Sequence, residues 1–176
     1  MFYASVMEVE MGMFYKRRYY SRMVDGRNPI VAHEYLGSDV QGKDVFVADD
    51  IISSGDSMLD IAYNVKKRGA RRFFAFATYA IFTNGLETFD KAYQDGIIDG
   101  VFGTNLTYRT EELKQREWFY EVDVSKYIAY FIAALHHDMS AGALIDPHEK
   151  IKALLEKRPG GAVQAEGRTT QLLNSL

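Results

Sequence analysis

Two adjacent carboxylates, Asp49 and Asp50, are followed closely by Ser53, Ser54, Gly55, Asp56 and Ser57. Acidic side chains in this position accept hydrogen bonds from neighbouring sugar hydroxyls. The hydroxyls of Ser53, Ser54 and Ser57, with the N–H groups of a glycine-containing loop, donate to a phosphate. The ligand implied by that combination is a sugar phosphate. The plainer alternative is a strand followed by an ordinary capped helix.

The elements around these residues suit the first reading. Val45-Phe46-Val47-Ala48 is a continuous apolar run, the pattern of a buried parallel strand whose carboxyl end opens into a ligand crevice. Ser57 and Asp60 have the spacing of a capping box, which predicts a helix starting there. Met58, Ala62 and Val65 give it an apolar face, Gly69 stops it, and its N-terminus adds a positive end facing the loop. A second apolar run, Phe73 to Ala80, predicts another strand, with Phe82-Thr83-Asn84-Gly85 as the turn at its end.

Leu86, Phe89 and Tyr93 recur at helical spacing up to Gly96, and Ile97 to Phe102 is a short strand ending in Thr104-Asn105-Leu106-Thr107. Thr110 starts a short helix and Trp118 to Val122 makes a strand. Ser125 caps a helix bearing Ile128, Ile132 and Leu135, and Asp146-Pro147 starts the last helix. The alternation predicts an α/β fold, a parallel sheet with helices on both faces. One domain over residues 1–158 and a loose tail over 159–176 are expected.

Ahead of this region a short helix and a strand through Gly12-Met13-Phe14-Tyr15 are expected. Lys16-Arg17-Arg18-Tyr19-Tyr20-Ser21-Arg22 places four basic residues within seven, and the stretch from there to Gly42 reads largely as loop. Such a cluster is either a solvated face or a mobile loop whose Lys16 and Arg18 close over a polyphosphate.

With 176 residues, the chain is long enough to bury one sizeable core, and its 47% hydrophobic and 26% charged residues are ordinary globular composition. A net charge of -3 argues against a nucleic-acid partner bound through a broad basic surface. Without cysteine there is neither a disulfide framework nor a thiolate metal site. No apolar run approaches the roughly 20 residues of a membrane span, and the start lacks a basic leader. No membrane association and a cytoplasmic location are therefore expected.

The segment Gly37 to Asp44 nearly fits a phosphate-binding loop pattern but carries Asp44 where a hydroxyl is needed, and it leads into a strand. His33, His136, His137 and His148 have no ligand spacing and read as loop, surface or capping residues.

The stretch from Asp49 to Ser57 resembles the phosphoribosyl-diphosphate loop shared by type I phosphoribosyltransferases and ribose-phosphate diphosphokinases. The resemblance to the diphosphokinases runs from about Tyr3 to Arg158. The Lys16-Arg17-Arg18 cluster, the loop, the Phe-rich strand to Thr83-Asn84-Gly85, the Thr104-Asn105 turn and the Tyr127-Ile128 helix fall in family order. It implies a phosphoribosyltransferase-like fold and transfer of the diphosphoryl group of MgATP to ribose 5-phosphate, giving phosphoribosyl diphosphate and AMP.

In that reading Asp49 and Asp50 hold the ribose 2- and 3-hydroxyls, partly through a magnesium shell. Ser53, Ser54, Gly55, Asp56 and Ser57 surround the 5-phosphate, and Lys16 and Arg18 stabilise charge on the transferring group. The family loop usually reads Asp-Thr-x-Gly-Thr. Ser53 here removes a carboxylate, and Asp56 puts one where a glycine lets the backbone approach phosphate. At about 5 Å and an effective dielectric of about 20, an inward Asp56 would repel a phosphate charge by roughly 3 kcal/mol. Asp56 is thus expected to point outward or to cap the helix.

The resemblance covers only the C-terminal half of the family's enzymes, so a partner is expected: an N-terminal half or homologous subunits in a homo-oligomer. A non-catalytic regulatory subunit and a nucleobase phosphoribosyltransferase are the alternatives.

Overall fold

The computed structural model describes residues 2–18 and 30–157. Their centre is a parallel sheet of four strands, β3 (Asp44–Ile52), β4 (Arg72–Ala80), β5 (Gly100–Thr104) and β6 (Phe119–Val122), lying side by side in that order. Between them come helices α2 (Asp56–Lys67), α3 (Glu87–Gln94) and α4 (Glu111–Lys114). Ahead stand α1 (Phe2–Val6) and an antiparallel pair, β1 (Gly12–Arg18) with β2 (Ile30–Gly37). Helices α5 (Ser125–His136), α6 (Gly142–Ile145) and α7 (His148–Glu156) follow the sheet. The tail expected over residues 159–176 lies outside the described residues.

Strand order equal to chain order decides where the helices go. Crossovers between parallel strands are right-handed, so repeated steps in one direction place every connecting helix on the same face. On that face the strands contribute Phe73, Ala75, Ala77, Val101 and Phe119. Met58, Leu59, Ala62 and Val65 of α2, Phe89 and Ala92 of α3 and Leu113 of α4 pack onto them as one cluster. Phe73, Phe89, Val65 and Val101 are fully buried. Each such side chain stabilises the fold by roughly 1.5–3 kcal/mol.

The other face is aromatic and thinly covered. Phe102 stacks on Tyr120 with ring centroids 5.0 Å apart, and Phe46 lies 6.1 Å from Phe102 yet is 58% exposed.

The amino ends of the strands are closed by charge. Arg71 and Arg72 both donate through two nitrogens to Asp44, and Asp99 accepts from Lys66 and from the Phe73 N–H. The Arg71 guanidinium, with Arg72 beside it, holds the Asp44 carboxyl well below the usual carboxylate range. Charge-assisted bidentate bonds are the strong kind, so this end is fixed and the carboxyl end is left for ligands.

Three expectations change. The α/β fold with a parallel sheet stands, but the helices between its strands, expected on both faces, pack into one cluster on one face. The stretch from Lys16 to Gly42 is not all loop, because Lys16 to Arg18 continue β1 and Ile30 to Gly37 form β2, with Lys16 opposite His33. Residues 19–29, between the two strands, lie outside the described residues. The helix after the phosphoribosyl-like loop also begins two residues early. Its N-cap is Gly55, left-handed at φ 88°, so Ser57 sits inside the first turn and is not the cap.

Candidate functional site

The carboxyl ends of the four parallel strands form one rim. Backbone bonds tie the segments along it: the Ile81 N–H donates to the Ile52 carbonyl at 2.9 Å, and the Thr83 N–H to that of Ser53 at 2.9 Å. At the next junction Thr104 Oγ1 donates to the Thr78 carbonyl at 2.6 Å. The loop Ser53–Gly55 is therefore fastened to the turn after β4 before α2 begins.

An aromatic stack fixes it from behind. Phe82, itself at φ 52°, packs edge-on against Phe89 with centroids 4.9 Å apart, and Phe89 stacks on Trp118 at 5.5 Å. Gly55 lies against that stack: a Cβ there would come within 2.2 Å of the Phe89 ring. Only glycine meets both the left-handed backbone and the close approach. Trp118 is held in turn by its indole N–H, which donates to Asp90 at 2.7 Å.

In front of this backing sit the expected residues. Asp49 and Asp50 are exposed at the end of β3, and Asp49 Oδ1 accepts from the Asp50 N–H at 2.8 Å. Successive strand residues leave on opposite sides of the sheet, and this bond ties the Asp49 carboxylate to the backbone at Asp50. Ser53 and Ser57 are exposed and Ser54 is half-buried. Ser54 Oγ donates to Asp56 Oδ2 at 2.9 Å and lies 3.4 Å from the Asp56 N–H. Asp56 thus folds over the loop, and its side chain does not cap α2.

The rim can hold hydroxyls by accepting through Asp49 and Asp50, and can present loop N–H groups and the start of a helix to an anion. Oxygen donors of this kind suit magnesium. Among the described residues no three His, Cys, Asp or Glu groups converge on a metal position. The two carboxylates therefore fit magnesium through its waters rather than as a full ligand cage.

Lys16 and Arg18, the expected cationic pair, have their backbones in β1, while their side chains lie outside the described residues. A further group at the rim escaped the sequence reading. Asn105, after β5, donates to Asp123 and to Ser125 Oγ at 2.8 Å and accepts from the Val124 N–H at 3.0 Å. Ser125, with Asn105 beside it, lowers the Asp123 carboxyl from its ordinary value. Asp123, not Ser125, holds the entry to α5, by accepting from the Ser125 N–H at 2.9 Å. The sequence marked Thr104-Asn105 as a turn and Ser125 as a cap, but gave no sign that Asn105 joins Asp123 and Ser125.

A family model described as the phosphoribosyl synthetase-associated domain matches residues 23–146. The chain belongs to that family. The ribose-phosphate pyrophosphokinase of Vibrio cholerae is 28% identical over 111 residues, covering 63% of this chain and 34% of the relative. That of Haemophilus influenzae is 28% identical over 127 residues, covering 70% and 39%. The chain thus spans little more than a third of these relatives' length. Among solved structures, the phosphoribosylpyrophosphate synthetase of Mycobacterium smegmatis superposes with a TM-score of 0.53 at 20% identity, covering 61% of this chain and 34% of that one. At that identity the likeness concerns the fold.

Proposed function

We propose that this chain is the ribose 5-phosphate-binding, C-terminal part of a ribose-phosphate diphosphokinase, which transfers the diphosphoryl group of ATP to ribose 5-phosphate. What carries the reading is the Asp49–Ser57 loop, held on its Phe82–Phe89–Trp118 backing at the carboxyl end of a parallel sheet.

Each residue has a task there. Asp49 and Asp50 accept from the ribose 2- and 3-hydroxyls, which fixes the sugar and orients its anomeric oxygen toward the β-phosphorus of ATP. Ser53, Ser54, Gly55, Asp56 and Ser57 surround the 5-position, and Lys16 and Arg18 close on the transferring diphosphoryl group. Asp49 and Asp50 would hold magnesium, which would supply neutralisation of the polyphosphate charge. Catalysis of this kind is positioning and electrostatics more than covalent chemistry. The other partner is an N-terminal half, on a homologous subunit or on the rest of a longer chain.

A second reading, a non-catalytic regulatory subunit with the same fold, is favoured by the Ser54–Asp56 bond, which occupies a donor that a phosphate would use. Product analysis by mass, after incubation with ribose 5-phosphate, ATP and magnesium, separates the two. AMP and phosphoribosyl diphosphate appearing together establish the enzyme. If a folded sample gives neither product alone or with an added N-terminal half, the regulatory reading stands. Failure to bind any pentose in the presence of magnesium would sink both.

A further inference from the structure

We infer that Asn84, in the turn after β4, is a site of spontaneous covalent modification. The backbone nitrogen of Gly85 attacks the Asn84 side-chain amide, and deamidation through a cyclic imide puts a carboxylate into the turn. This chemistry needs no ligand and holds whatever the rim binds.

Three observations carry it. The first is freedom. Among the described residues the asparagines are Asn64, Asn84 and Asn105. Asn64 Nδ2 donates to the Asp60 carbonyl at 2.8 Å inside α2, and Asn105 is held by Asp123, Ser125 and the Val124 N–H. Asn84 is exposed, and its side chain bonds to none of the described residues. Asparagine amides are thermolabile, and this one has nothing to hold it.

The second is the neighbour. Asn84 is followed by a glycine in the left-handed region, at φ 85°, so no Cβ stands over the attacking nitrogen. The third is a base. A Cβ added at Gly85 would run into Glu87 Oε2, so a carboxylate oxygen already lies against the attacking residue. An exposed carboxylate in that place can take the amide proton. What resists is one hydrogen bond, from the Gly85 N–H to the Phe82 carbonyl at 3.0 Å. Exposed turns open locally at little cost, and each opening frees the nitrogen.

The reaction is balanced by these groups and water. The Gly85 nitrogen bonds to Asn84 Cγ while the Cγ–Nδ2 bond breaks. Glu87 takes the proton from the Gly85 nitrogen and returns it to Nδ2, which leaves as ammonia. One water then opens the imide. Attack at Cγ gives aspartate, and attack at the backbone carbonyl gives isoaspartate. Either product adds a negative charge to the turn whose Thr83 N–H holds the Ser53 carbonyl. Isoaspartate also lengthens the backbone of that turn.

The test is peptide mapping by mass spectrometry of the folded chain over days of incubation, for wild type, Asn84→Gln and Glu87→Gln, with a urea-unfolded wild-type sample beside them. Thermal melts establish that the variants are folded. The wild-type peptide containing Asn84 is expected to gain the mass of an amide-to-acid change, with isoaspartate among the products. The peptides containing Asn64 and Asn105 are expected to stay unchanged. Asn84→Gln is expected to abolish the change in that peptide, because glutamine would have to close a larger ring. Glu87→Gln is expected to slow it at least threefold.

Conversion of Asn84 only in the unfolded sample overturns the inference. So does conversion of Asn64 or Asn105 as fast as Asn84, which assigns the reaction to global unfolding. An unchanged rate in Glu87→Gln overturns the role of Glu87 as the base.

Discussion

Gly55 is the residue on which the loop depends most. It is left-handed and flush against Phe89, so any side chain there adds backbone strain to a clash with a ring that Trp118 and Phe82 hold in place. Gly55→Ala is expected to cost about 2 kcal/mol or more in urea denaturation and to abolish sugar binding.

Asp44 is the counterpart at the opposite end of the sheet. Because Arg71 and Arg72 hold its carboxyl depressed, it binds its proton more weakly folded than unfolded. The stability it contributes is complete above the ordinary carboxyl value of 3.8 and is lost as pH falls below it. Asp44→Asn should therefore cost roughly 1 kcal/mol at pH 7. Urea titrations at successive pH values should show wild type and variant converging once the pH drops under about 4.

At the level of elements, the β5–β6 rim is joined by one amide side chain. Asn105 bonds to Asp123, Ser125 and the Val124 N–H, so Asn105→Ala should destabilise by about 1 kcal/mol. The Asp123 carboxyl should then rise toward its ordinary value, as read from its NMR pH titration.

Sequence reasoning reached the strands and helices of the sheet because their patterns are strong. Phe73 to Ala80 is continuously apolar, and Met58, Ala62 and Val65 repeat at helical spacing. It missed β2, because Ile30 to Gly37 mixes His33 and Glu34 with apolar residues after turn signals and pairs with β1 across an intervening segment. The start of α2 was misplaced by two residues because a left-handed Gly55 stands where a Ser57–Asp60 box was expected to cap. Residue types exposed the loop itself. The Ser54–Asp56 bond and the Asn105–Asp123 pair depend on the folded backbone, the latter joining positions 18 apart.

For the whole molecule, the one-sided placement of the connecting helices leaves apolar surface in view. Phe46 on the second sheet face and Ile132, Leu135, Met139 and Ile145 after it are 58%, 63%, 70%, 65% and 68% exposed. Large apolar side chains exposed to this degree offer sites to an apolar dye. The folded chain is expected to enhance ANS fluorescence while keeping its near-UV circular dichroism, which distinguishes native exposed surface from a molten state. Phe46→Ser and Leu135→Ser should each lower that fluorescence with little change in melting temperature, since both side chains are more than half in solvent.

The order β3-β4-β5-β6 has a kinetic side as well. Every strand pairs with its immediate successor, so each step of assembly closes one short loop and none waits for a distant segment. The sheet can thus zip up along the chain, with β4 and β5 gaining two neighbours while β3 and β6 keep one each among the described strands. In hydrogen–deuterium exchange the amides of β4 and β5 should be the last to open, and the outer amides of β3, running down to Asp49 and Asp50, among the first of the sheet.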